Sequence, residues 1–107
     1  MNVEFSKSFD KQTSRISDKI LLKRLGNIIK KVIKCDTLNE IPNLKSIVGH
    51  PGFYRIRLGD YRIGISLEEE TVWFHFFGKR DDSTYKKFPY AENLRNIFPP
   101  PHSFHIL

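Results

Sequence analysis

The sequence predicts an α+β fold of order β-α-α-β-β-β, with two N-terminal helices packed on a small, mainly antiparallel sheet and a short helical element near the C-terminus. Three observations carry this expectation. Apolar residues recur at three- and four-residue spacing through Leu21, Leu22, Leu25, Ile28, Ile29, Val32 and Ile33, the period of a helix. From Leu44 onward the period changes to two, the signature of strands. Within that region Gly59-Asp60 interrupts an alternating run where a two-residue turn would join two strands into a hairpin.

The elements follow in order. Met1–Phe5 reads as a short first strand and Ser6–Arg15 as a short polar helix. Ser17 suits the N-cap of the second helix, with Asp18 beside it favourably placed against the helix dipole. Opposite the apolar stripe of that helix lie Lys19, Lys23, Arg24, Lys30, Lys31 and Lys34, a solvated face. Asp36–Asn43 is a loop ended by Pro42, Leu44–Val48 one short strand, and Gly49-His50-Pro51-Gly52 a turn cluster. Phe53–Ser66 reads as two strands, Leu67–Thr71 as a turn, and Val72–Phe77 as a buried aromatic strand. Asp81–Tyr90 has room for one turn of helix. Pro99, Pro100 and Pro101 exclude a helix at the end, so about 91–107 is expected as an extended tail.

At 107 residues the chain is expected to form a single domain over 1–107. No stretch approaches the roughly 18 apolar residues of a membrane helix, and Met1–Ser6 lacks the basic start and apolar core of a signal peptide. The lone Cys35 cannot form an internal disulfide and suits a reducing, cytoplasmic setting, with packing at a helix end as its expected role. Eighteen Lys and Arg against twelve Asp and Glu give a net charge of +6. Such a surplus favours an acidic partner, nucleic acid being the commonest.

Where the charges sit sharpens this. Counting outward from Gly59-Asp60, Leu58 faces Tyr61, Arg57 faces Arg62, Ile56 faces Ile63 and Arg55 faces Gly64. Alternation then places Tyr54, Ile56, Leu58, Tyr61, Ile63 and Ile65 on the core face, and Arg55, Arg57 and Arg62 together on the other. Directly opposed like charges destabilise a hairpin by roughly 0.2–1 kcal/mol, and neither strand carries an acid on that face to offset them. Two accounts are open. The guanidiniums converge on an anion, each offering a planar fork of donors suited to phosphate, or Glu68, Glu69, Glu70 or the C-terminal tail folds back to pair with them. The tightness of the cluster favours the anion site. Lys79 and Arg80 follow the aromatic strand, and a third strand paired beside Tyr61–Ser66 would bring its end near the hairpin face, strand parity leaving open which way Arg80 points. Tyr85 either stacks on a base over the groove or anchors the last turn as a half-buried aromatic. His75, between Phe74 and Phe76, is more readily a structural residue than a catalyst. His102 and His105 lack acidic or Cys partners, so no metal is expected.

Taken together, the basic strand-turn-strand of Tyr54–Ile63 (YRIRLGDYRI), the apolar strand, Gly78-Lys79-Arg80 and a tyrosine shortly after resemble the RelE/ParE toxin superfamily. The likeness runs from about Val3 to Tyr85 and rests on the order and spacing of motifs that are individually weak. It implies a RelE-like fold, a cognate antitoxin as partner, and, in the RelE branch, a ribosome-dependent endoribonuclease. There the RNA 2′-hydroxyl attacks the adjacent phosphate of mRNA without metal or cofactor. By the same resemblance Arg55, Arg57, Arg62, Arg80 and Tyr85 are the catalytic positions, and Lys45, His50 and Lys79 further RNA contacts. Arg55 and Arg57 stand where the RelE pattern has lysines, and arginine stays protonated. The base would then be Lys79, His50 or His75, or cleavage would depend on positioning and charge stabilisation with ribosomal help. A ParE-like DNA gyrase poison without nuclease activity is the alternative, as is a decayed toxin that only binds with its antitoxin. The combined hairpin and Gly78-Lys79-Arg80 cluster favours the ribonuclease.

Overall fold

A computed structural model describes residues 1–81. Strand β1 (Asn2–Phe5) leads into helices α1 (Lys7–Ser14) and α2 (Lys19–Lys34). A single 3-10 turn (Leu38–Glu40) follows, and then strands β2 (Leu44–Ser46), β3 (Phe53–Leu58), β4 (Tyr61–Glu68) and β5 (Thr71–Lys79). The strands form one sheet in the order β1-β5-β4-β3-β2, one strand more than the expected β-α-α-β-β-β order because the short β2 also pairs, with β3. Only the β1–β5 pair is parallel, because two helices intervene between β1 and the rest and a hairpin cannot make that connection.

The helices begin where capping chemistry allows. Ser6 caps α1, its hydroxyl accepting from the Phe9 N–H at 3.0 Å and donating to the His75 carbonyl at 3.3 Å. For α2 the cap is Asp18 rather than Ser17: its carboxylate accepts from Ile20 N and Leu21 N, each at 3.0 Å. An aspartate satisfies two orphan amides and places negative charge at the positive end of the helix dipole. Cys35 closes α2, its thiol buried and donating to the Val32 carbonyl at 3.2 Å. Burial, followed by the nearby Glu40 charge, pushes that thiol up from its ordinary pKa, which suits packing rather than reactivity.

Leu21, Leu25 and Val32 of α2 and Phe9 of α1 meet Ile56, Leu58, Ile63, Ile65, Val72, Phe74 and Phe77 of the sheet in one core. Phe9 binds the layers together, with its ring centroid 5.5 Å from Phe74 and 6.4 Å from Phe77. Beyond the end of β1, the Phe77 N–H has no strand to pair with among the described residues and donates to Gln12 Oε1 of α1 at 2.8 Å. A buried amide is thereby satisfied by a side chain where the sheet runs out.

The hairpin register matches the count outward from Gly59-Asp60 at every pair from Leu58–Tyr61 to Arg55–Gly64. Gly59 has φ +59 while Asp60 keeps a negative φ, the requirement of a turn with glycine at its first central position. Strand lengths differ from the sequence expectation. The Leu44–Val48 strand stops at Ser46, because the chain turns back through Ile47–Phe53, Ile47 N donating to Phe53 O at 2.9 Å. The turn after β4 shortens to Glu69-Glu70, with Glu69 at φ 56, and β5 extends to Lys79. A bulge between Gly64 and Ile65 sets His75 between the pairs Gly64–Phe76 and Ile65–Phe74, which local alternation cannot show. The expected C-terminal helical turn and the tail lie outside the described residues, apart from Asp81.

Candidate nucleic-acid interface

Register decides which basic residues meet. Lys45 of β2 pairs with Arg55 of β3, Arg55 with Gly64 of β4, Arg57 with Arg62, and Arg62 with Gly78 of β5. Paired residues share a face, so Lys45, Arg55, Arg57 and Arg62 all stand on the side away from the helices. The residues opposite Arg55 and Arg62 are glycines, Gly64 being buried and Gly78 lying under the Phe76 ring, whose Cζ would be 2.8 Å from a Cβ built there. With Asn43 these four basic residues line a cleft of about 170 Å3.

Local hydrogen bonds hold the cluster. Arg62 Nη1 donates to the Gly59 carbonyl at 2.8 Å and to the Tyr61 carbonyl at 2.9 Å, so its guanidinium is fastened to the hairpin turn. Among the described residues only Nη1 of the fork is used, and Nε and Nη2 keep their donors. The backbone N–H of Arg80 donates to Asp60 O at 2.9 Å, which ties the chain after β5 to the same turn. Arg57 N donates to Asn43 O at 3.1 Å. Asn43 takes φ 63, a left-handed conformation asparagine tolerates better than most residues.

Arg57, Arg62 and Arg80 also line a larger groove of about 670 Å3 that passes round the hairpin end of the sheet to Arg24, Asn27, Ile28 and Lys31 of α2. Glu68 ends β4, and the strand from Arg62 to Glu68 spans about 20 Å. Glu68, Glu69 and Glu70 therefore sit at the opposite end of the sheet from Arg57, Arg62 and Arg80 and cannot fold back onto them. A tail folding onto them would involve residues outside those described.

The other sequence candidates are placed differently. Lys79 pairs with Tyr61, which puts it on the helix-facing side, away from the arginine row. His50 lies in the β2–β3 turn, its N–H donating to Ile47 O and its carbonyl accepting from Phe53 N, each at 3.1 Å, at the end of β3 remote from Arg57. His75 is buried, with Nε2 2.7 Å from the Ser66 hydroxyl, and burial pushes its pKa down to about 4. It is a structural imidazole, neutral at ordinary pH. Tyr85 lies outside the described residues. Sequence reasoning passed over Asn43, whose signal was a Pro42-Asn43 turn pair just before a strand, and left Arg24 and Lys31 on a solvated face.

A helix-backed sheet that gathers arginines around one hairpin defines a small α+β protein with a concentrated basic surface. No protein-family model matches the chain. A curated relative, Toxin RelE3 of Methanocaldococcus jannaschii, is 37% identical over 90 residues, covering 83% of this chain and all (100%) of the relative. The toxin in the RelB–RelE antitoxin–toxin complex from Methanococcus jannaschii superposes with a TM-score of 0.68 at 34% identity, over 79% of this chain and 98% of the other. The archaeal RelE–RelB complex from Pyrococcus horikoshii OT3 gives a TM-score of 0.63 at 20% identity, over 77% and 97% of the two chains, a likeness of fold. The chain belongs to the RelE toxin family, as the hairpin and its flanking motifs led us to expect. No helix among the described residues is long and apolar enough to cross a membrane.

Proposed function

We propose that this RelE-family protein is the toxin of a type II toxin–antitoxin system and cuts mRNA on the ribosome. The observation that carries the reading is the convergence of Arg57, Arg62 and Arg80 at one end of the sheet, with Arg55 and Lys45 continuing the row.

In this reading the scissile phosphate sits over the hairpin face. The RNA O2′ attacks the adjacent phosphorus, the bond from phosphorus to O5′ breaks, and the products are a 2′,3′-cyclic phosphate and a free 5′-hydroxyl. Charge accumulates on the non-bridging oxygens in the transition state, where preorganised guanidiniums are each worth on the order of 10²–10³ in rate. Arg62 is suited to this because its fork is already fastened to the turn, so little rotamer freedom is lost on binding. None of Lys79, His50 and His75 lines the arginine cleft. That supports a mechanism of positioning and charge stabilisation, the 2′-hydroxyl proton passing to an acceptor on the RNA or the ribosome and another proton reaching O5′. Tyr85 would add a stacking or hydrogen-bonding contact, and no metal or cofactor takes part. The solved relatives are complexes with antitoxins, which supports a cognate antitoxin as partner. The protein would act in the cytoplasm, with 1–107 as one toxin domain.

The test is to add purified protein to ribosomes carrying a defined mRNA and map new 5′ ends by primer extension, alongside Arg57→Ala, Arg80→Ala and naked mRNA. Cleavage at the A-site codon that needs the ribosome and drops by orders of magnitude in both variants is expected. Intact mRNA in every reaction, from folded protein, would overturn the reading, and gyrase poisoning or a binding-only role would then lead.

A further inference from the structure

The groove round the hairpin end is larger than a single phosphate needs and differs in character from the cleft on the sheet. Ile28, Ile41 and Leu58 give it apolar lining, and Arg24 and Lys31 of α2 line it together with Arg57, Arg62 and Arg80. Among the described residues those five cations meet a single lining carboxylate, Asp60. Arg24 is not a stray surface side chain: its Nη1 would lie 3.8 Å from a Cβ built on Gly59, so the guanidinium rests against the hairpin turn. Lys31 follows it by two helical turns on the same side of α2. Asn43, Arg57 and Arg62 line both the groove and the sheet cleft, so the two are one continuous surface.

We infer that this groove carries the RNA strand beyond the scissile phosphate, with Arg24 and Lys31 as backbone phosphate contacts and the apolar lining receiving a base. The inference rests on the cleft being an RNA site. Charge favours RNA over a peptide, because both α2 and the hairpin contribute cations to the lining and the track continues from the arginine row, whereas an acidic helix would need one charged edge beside an apolar stripe. Bases tolerate such a lining whatever their identity, since each presents an apolar face.

The experiment measures binding of a short single-stranded 2′-O-methyl RNA, which cannot be cleaved, by fluorescence anisotropy across a salt series. Arg24→Ala/Lys31→Ala is compared with Lys19→Ala/Lys23→Ala, which removes the same charge from a part of α2 outside the groove. Loss of two phosphate contacts lowers the slope of log K against log salt by about 1.4. That drop is expected in the first pair, with the wild-type slope kept in the second. Equal slopes in all three proteins would overturn the inference, as would normal RNA binding by Arg24→Ala/Lys31→Ala joined to weakened binding of an acidic antitoxin peptide. Circular dichroism of each variant confirms the fold. The two readings fail separately: a salt slope sensitive to Arg24 and Lys31 in a protein that leaves ribosomal mRNA intact sinks the nuclease and keeps the groove, and cleavage with an insensitive slope does the reverse.

Discussion

Arg57 stands directly opposite Arg62 across the β3–β4 hairpin, and the side chain of Arg62 is turned onto the carbonyls of Gly59 and Tyr61. Two cations at paired positions oppose hairpin formation, so the fold retains a local cost where its basic cluster is assembled. Replacing Arg57 with threonine, a good strand residue, is expected to raise stability by about 0.2–1 kcal/mol while cleavage falls by orders of magnitude. Urea unfolding and the ribosome assay on the same preparation check both halves. A variant less stable than wild type would mean the two guanidiniums do not repel in the folded protein.

Gly59 adopts φ +59, so Gly59→Ala is expected to cost about 1–2 kcal/mol. Its effect on cleavage should exceed what stability explains, because the Gly59 and Asp60 carbonyls hold Arg62 and Arg80. Gly49 is the control: at φ +82 it carries comparable strain, with nothing within 4 Å of a built Cβ and a position in the β2–β3 turn away from the arginines. Gly49→Ala should lose stability and keep its cleavage rate below the melting temperature. Equal activity losses in the two variants would show that the turn does not position the arginines.

His75 gives the stability a pH dependence. Its imidazole is 3% exposed and burial pushes its pKa from 6.5 to about 4. As pH falls below 6.5 the unfolded chain takes up a proton that the folded chain refuses until about 4, so stability from this group is full above 6.5 and declines through that window. The slope approaches 1.4 kcal/mol per pH unit and the total is on the order of 3 kcal/mol. Urea midpoints between pH 7 and pH 4 should fall less steeply for His75→Gln than for wild type, since glutamine does not titrate there. Parallel profiles would place the acid sensitivity elsewhere.

Much of this molecule was legible from neighbouring residues alone. The stripe from Leu21 to Val32, the alternation through Phe53–Ser66 and the glycine at position 59 are local signals. They determined α2, the hairpin, its register and the shared face of Arg55, Arg57 and Arg62, because a strand's side-chain period of two leaves one arrangement once the turn is placed. Caps and strand ends were less legible, as Asp18 and the Ser46 end of β2 show, since several residues nearby could serve each purpose. What only the tertiary structure decided is which distant segments meet. The bulge at His75 shifts β5 against β4, pairing with Tyr61 puts Lys79 on the helix side, and the fold of α2 against the hairpin brings Arg24 and Lys31 round to Arg57 and Arg80. Such meetings depend on how the helices pack on the sheet, a matter of core shape that no spacing within a single segment encodes.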